Sequence, residues 1–283
     1  TQDMDTRALV FRGLGRCPSL SAMRTLQIGL QEANARSVAA DGLANLFVGN
    51  PELQSQMTKA WVLEAMPFVS SADLRASAQK AIDALGNKVG YYSMFNGKDL
   101  SGWKGLVDNP VKRRAMSADS LAIKQVKADE NMRKGWYAKD DELHFTGHGD
   151  NLCSVKDYQD FEMYVDWKIE KDGDAGIYLR GAPQVQIWDI ARVNVGANVG
   201  SGGLYNNQIN AKNPLKLADN PVEEWNTFYI KMVGERVTVY LNGELVVDNT
   251  ILENYWDRKI PIFVKDAIEL QAHGNHIVYR NIY

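Results

Sequence analysis

The chain has 283 residues, 45% of them apolar and 24% charged, with a formal net charge of -3. That balance suits a globular protein long enough for two modest domains, and it lacks the basic stripe expected of a nucleic-acid binder. No apolar run is long enough to span a bilayer. Cys17 and Cys153 lie far apart and support neither a disulfide framework nor a thiolate zinc site.

The first ninety residues read as a helical module. Leu9, Val10, Leu14, Leu20, Met23, Leu26 and Leu30 recur at the three-and-four spacing of amphipathic helices. Val38, Leu43 and Phe47, then Leu53, Met57, Trp61 and Met66, then Leu74, Ala78, Ala81 and Leu85 repeat the pattern. Ser19, Asn50 before Pro51, and Ser71 with Asp73 read as helix starts. The stretch Gly42 to Asn50 and the pair Gly86-Asn87 read as helix ends. About five short helices result, predicted to stack as a HEAT-like α-solenoid, with a plain bundle as the alternative. Nothing in residues 1–90 resembles a catalytic cluster, so a packing or docking module is expected.

From Gly90 the period changes to two. Phe161–Ile169 alternates, with Met163, Val165, Trp167 and Ile169 on one side and Tyr164, Asp166 and Lys168 on the other. Gly176–Arg180, Gln184–Asp189, Thr227–Val233 and Arg236–Leu241 follow as strands. Asn242-Gly243 turns the chain into Glu244–Val247, and Ile268–His273 and His276–Tyr283 close it. Many short strands with no helices between them predict an antiparallel β-sandwich or jelly roll over 91–283. The fold class is therefore α + β in two domains. Glycine-rich residues 191–225 read as a long loop edging a binding site.

The polar sides of these strands carry Tyr164, Asp166, Lys168, Tyr178, Arg180, Gln184, Gln186, Gln271 and His273, with Arg280 from the last strand. Amides, guanidinium groups and an imidazole gathered on one face suit sugar hydroxyls. The plainer reading is a solvated face with incidental pairs such as Asp166 and Arg180. His144 and His148 are four apart, but off a helix that spacing is a weak metal signal. An ordinary glycosidase needs two carboxyl groups flanking the bond. The strand Gln184-Val185-Gln186-Ile187-Trp188-Asp189 has amides where such carboxylates would stand. No nucleophile elbow, phosphate loop or dinucleotide fingerprint is present.

Several segments together resemble the 3-keto-disaccharide hydrolase domain family. They are Phe95-Asn96-Gly97-Lys98-Asp99-Leu100-Ser101-Gly102-Trp103, Ala175-Gly176-Ile177-Tyr178-Leu179-Arg180-Gly181, Val185-Gln186-Ile187-Trp188-Asp189, Gly203-Leu204-Tyr205 and Leu270-Gln271-Ala272-His273-Gly274. They keep the family's order across nearly all of 91–283. The resemblance implies a concanavalin-like jelly roll and a 3-keto-glycoside substrate. It also implies a bacterial protein of the periplasm or cell surface, its signal peptide removed, with a lipoprotein anchor compatible. Gln184 and Asp166 stand where the family commonly has Glu.

A ketone at C3 acidifies the C2 hydrogen, so one base near neutral pKa and a group stabilising the C3 oxyanion suffice for elimination and later hydration. His273 suits the base, with Asp189 and Asp166 as competitors. Arg180, Lys168 or a bound divalent metal could hold the enolate oxygen, although no metal ligand set stands out. Gln184, Gln186, Gln271 and Tyr178 would read hydroxyls, and Tyr205 or Trp188 would stack on the ring. A non-catalytic carbohydrate-binding module is the alternative, and an interaction scaffold is the third reading.

Overall fold

The computed structural model describes residues 2–85 and 90–283, so the predicted helix end at Gly86-Asn87 lies outside the described residues. The chain divides into two compact units, Thr1–Ser93 and Met94–Tyr283.

The first unit holds α1 (Gln2–Leu14), α2 (Leu20–Gly29), α3 (Arg36–Gly49), α4 (Gln56–Ala65) and α5 (Ala72–Ala84). Side-chain oxygens cap helix starts whose first amides have no intrahelical partner. Ser19 accepts from the Ala22 N–H, and Ser71 from that of Leu74. Ser55 and Thr58 form a capping box on α4 that the sequence reading did not single out. Asn50-Pro51 opens a single 3-10 turn instead of an α-helix. Gly42 does not end a helix but lies within α3, where an added Cβ would press on Gly15 and the Leu26 methyls. α1 buries Phe11 and leaves Leu9 and Val10 exposed. In a linear solenoid each helix pair touches only its neighbours. Here α3 packs against α1, α2, α4 and α5 alike, as the hub of a small bundle.

The second unit runs β1 (Trp103–Gly105), α6 (Pro110–Ala115), α7 (Ala118–Gly135), β2 (Trp136–Lys139), β3 (Glu142–Thr146), β4 (Leu152–Tyr158), β5 (Phe161–Ile169), β6 (Asp174–Leu179) and β7 (Ala182–Trp188). It continues through β8 (Asn226–Val233), β9 (Arg236–Leu241), β10 (Glu244–Ile251), β11 (Asp266–Leu270) and β12 (His276–Arg280). Two antiparallel sheets result, a five-stranded one ordered β1-β4-β11-β6-β7 and a seven-stranded one ordered β10-β9-β8-β5-β12-β3-β2. Alternation decides which side chains fill the space between them. Met163, Val165, Trp167 and Ile169 of β5 pack there with Ala175, Ile177, Leu179, Val185 and Ile187 from β6 and β7. Each fully buried aliphatic side chain contributes roughly 1.5–3 kcal/mol. Asn242 and Gly243 both have positive φ, 52° and 85°, the geometry of a two-residue hairpin turn between β9 and β10.

Two features depart from the sequence reading. Residues 110–135 form helices where none was expected, with α7 burying only Ala128, Met132 and Gly135. The close approach of α7 to β1 rests on Gly105, where a Cβ would lie 2.1 Å from the Ala128 carbonyl oxygen. In addition β5 and β6, consecutive in sequence, belong to different sheets. Among the described residues no helix is long and apolar enough to cross a membrane.

Candidate active site

The outer face of the five-stranded sheet gathers a polar network in two hydrogen-bonded groups. On β6, Ala175, Ile177 and Leu179 point inward, so Asp174, Gly176 and Tyr178 point out. On β7 the same parity turns Gln184, Gln186 and Trp188 outward. On β11, Ile268 and Leu270 are inside, leaving Glu269 outside with Gln271 just beyond, its amide bonded to the Gly176 carbonyl. Gly176 lets Gln184 lie flat on the sheet, since a Cβ there would sit 2.7 Å from the Gln184 amide carbon.

The bonds run in sequence. Gln184 Nε2 donates to Gln186 Oε1. Gln186 Nε2 donates to Asp174 Oδ1 at 2.9 Å, and Arg192 donates to Asp174 Oδ2 at 2.6 Å. His273 Nδ1 lies 3.8 Å from the same Oδ2, with half of its side chain exposed. Gln271 Nε2 donates to the Tyr178 hydroxyl at 3.4 Å, and Gln271 Oε1 is buried with no partner among the described residues. Burial, then the nearby Glu269 charge, push the Tyr178 hydroxyl up to about 12, so it remains a donor at neutral pH. Trp188 donates from its indole to the Gly200 carbonyl at 2.9 Å and meets the half-exposed ring of Tyr205 edge-on at 5.2 Å.

Three residues of this face were not picked out from sequence. Asp174 and Arg192 occupy a strand start and a loop, and only the fold brings them to His273. Glu269 sits in the apolar-looking run Asp266-Ala267-Ile268-Glu269-Leu270, where alternation alone marks it as outward. It is 1% exposed and opposite Tyr178 in register. Burial raises its carboxyl to about 7. Arg113 of α6 opposes that shift: its guanidinium, held by Asp266 at 2.8 Å, reaches Glu269 at 3.5 Å.

The expectation that every predicted site residue shares one face is corrected. Asp166 and Lys168 project from β5 on the outer side of the seven-stranded sheet, with the core between them and the network above. There Asp166 accepts from Thr227 at 2.6 Å and Asn281 at 2.8 Å, with Arg280, not Arg180, as its cation at 3.5 Å. Lys168 and Arg280 lie over the Trp225 ring, 4.6 and 3.9 Å from its centroid. Asp189 is buried and accepts from the backbone N–H groups of Asp172 and Ala191, both at 2.9 Å, so it braces a loop. Arg180 has a φ of 51° in the β6–β7 turn, which takes it off the Tyr178 face. Its buried guanidinium donates to the Val264 carbonyl at 2.9 Å and to the Gly234 carbonyl. Arg180→Leu is expected to cost about 3 kcal/mol in urea unfolding, since two charge-assisted bonds are lost and two carbonyls are left dry. A cost under about 0.5 kcal/mol, the range of an ordinary surface change, would show that the bridge is dispensable.

Among the described residues no three His, Cys, Asp or Glu side chains are grouped to hold a metal ion. His144 faces His276 at 3.5 Å, not His148.

Comparison with known proteins bears on this geometry. A 3-keto-disaccharide hydrolase of Bacteroides thetaiotaomicron is 23% identical over 258 residues, covering 75% of this chain and 83% of the relative. A crystal structure of a candidate glycosyl hydrolase from Parabacteroides distasonis, 21% identical, covers 68% of this chain and 92% of its own at a TM-score of 0.50, a likeness of fold alone. Residues 90–283 match the 3-keto-alpha-glucoside-1,2-lyase-like domain, and with its polar face on a two-sheet sandwich the chain belongs to that family.

Proposed function

We propose that the second unit cleaves the glycosidic bond of a 3-keto-glucoside or 3-keto-disaccharide by elimination and hydration. The observation that carries this reading is the composition of that outer face. It has one imidazole set against a carboxylate, His273 and Asp174, and amides where an acid–base pair of carboxylates would be needed. His273 removes the C2 proton, and the C–H electrons form the C2–C3 enolate. The enolate re-forms the C3 carbonyl, a C1–C2 double bond forms, and the C1–O bond breaks as the leaving oxygen takes a proton. Water then adds its oxygen to C1 and a proton to C2. With Arg180 and Lys168 elsewhere, the donors left for the C3 oxyanion are the Tyr178 hydroxyl and the Arg192 guanidinium. Gln271, half-buried with its Oε1 unpartnered, would turn to read a ring hydroxyl, while Gln186 is held by Gln184 and Asp174.

Incubation with 3-keto-trehalose, methyl 3-keto-glucoside and their unoxidised parents tests the reading. Sugar release is expected from the keto forms only, with a transient enone absorbance, and a parallel run with chelator reports any metal requirement. Gln184 and Gln186 also favour a second reading, a carbohydrate-binding module. Tight binding of the parents with no product from the keto forms would establish it.

A further inference from the structure

Beside β7 two loops are fastened to each other more firmly than chain connection requires. Glu253 accepts the backbone N–H groups of Gln208, Ile209 and Asn210 at 2.9, 2.8 and 2.7 Å. Arg258 donates to Glu253 at 2.8 Å and to the Asn206 carbonyl at 2.8 Å, and its guanidinium lies 5.4 Å from the Tyr255 ring centroid. Tyr255 meets Trp256 edge-on at 4.9 Å, and the Trp256 indole donates to the Gly181 carbonyl of the β6–β7 turn at 2.8 Å. Burial works against the Glu253 carboxylate, but its backbone donors bring it down to about 2, so this latch stays ionised.

What the latch holds out is apolar. Tyr205 and Tyr255 are each 44% exposed, and Ile209 is 92% exposed on a turn whose three amides are fixed. Leu204 is inward and bridged to Val185, which turns Tyr205 to the outer side beside Trp188. Tyr255 is tied to the same edge through Trp256, whose indole is fixed on the Gly181 carbonyl just before β7. Tyr205 thus borders the network at Trp188, and the Glu253–Arg258 latch sets Ile209 and Tyr255 on the loops fastened beside it. We infer that Tyr205, Ile209 and Tyr255 form a leaving-group subsite for a group with a flat apolar face, an aryl ring or the C–H face of a second pyranose. Aromatic rings with two side-chain torsions, carried on loops whose backbone is already fixed, lose little freedom when such a face settles on them. The inference rests on the elimination reading above for the meaning of leaving group, not for the existence of the subsite.

The test compares kcat/KM for 4-nitrophenyl 3-keto-glucoside, 3-keto-trehalose and methyl 3-keto-glucoside. Tyr255→Ala is expected to lower the preference for the aryl substrate over methyl about tenfold. Ile209→Ser, at a position exposed enough to tolerate the change, is expected to lower it about threefold. If the preference for 3-keto-trehalose over methyl falls instead, the subsite takes a pyranose. Unchanged ratios in both variants for both substrates overturn the inference. Should wild type turn over none of the three, the elimination reading fails by itself. Calorimetric binding of the unoxidised aryl and methyl glucosides then tests the subsite alone. A loss confined to the aryl ligand in Tyr255→Ala supports it, and equal behaviour of the two ligands overturns it.

Discussion

His273→Ala is expected to lower kcat/KM on a 3-keto-glucoside by roughly a hundred- to ten-thousand-fold, the contribution of one well-placed general base. The imidazole stands just beyond β11, half exposed, with Nδ1 toward Asp174 at 3.8 Å. That arrangement favours the proton on Nδ1 and leaves Nε2 to take the substrate's C2 hydrogen. The separation is long for a hydrogen bond, and catalytic contacts of this kind commonly tighten once substrate is in place. Asp174 is itself fixed by Gln186 and Arg192, so it cannot swing away from the ring. Asp174→Asn is therefore expected to act in the same direction with a smaller loss, in kcat more than in KM. Matched melting curves would show that the fold survives. A loss below about threefold in His273→Ala would remove His273 from the base role.

The second large effect concerns Glu269 and the pH dependence of stability. Its folded carboxyl titrates near 7 because burial disfavours the charge, against an ordinary value of 4.5. Between those values the folded protein binds the proton and the unfolded chain does not, so stability falls as pH rises through that window. The difference of 2.5 units corresponds to at most about 3 kcal/mol at one unit per 1.36 kcal/mol. Glu269→Gln keeps the shape and the neutral state and leaves Arg113 paired with Asp266. The variant is expected to match wild type at pH 4.5 and to be more stable by up to about 3 kcal/mol at pH 8. Urea midpoints at the two pH values decide it. Parallel curves for the two proteins would show that Glu269 is ionised with a partner in the fold.

Much of the architecture was legible because period-two alternation is a local signal. Met163, Val165, Trp167 and Ile169 could point only one way, and Asn242-Gly243 could make only one kind of turn. The same signal does not say which sheet a strand enters. Tyr164, Asp166 and Lys168 were read correctly as outward, and so were Tyr178, Gln184 and Gln186. But a sandwich has two outer sides, and β5 and β6 separate onto them. Parity also breaks at a turn, which is why Arg180, two residues after Tyr178, does not share its face. α7 escaped notice because a helix that buries Ala128, Met132 and Gly135 shows little apolar stripe. Glu269 was hidden for a different reason: its burial, and the Arg113 that α6 brings beside it, are tertiary facts with no sequence periodicity.

The order of strands in the two sheets has a consequence for how this domain comes into being. β4 and β6 have no hydrogen bonds to each other and meet only through β11, and β3 and β5 meet only through β12. Both β-layers thus stay split into two ribbons until residues 266–280 slot in as paired keystones. Contacts of such long sequence separation are slow to form. A ribosome-bound chain lacking that stretch would present four unzipped borders, and it would also lack His273, which arrives on the connector between the two keystones.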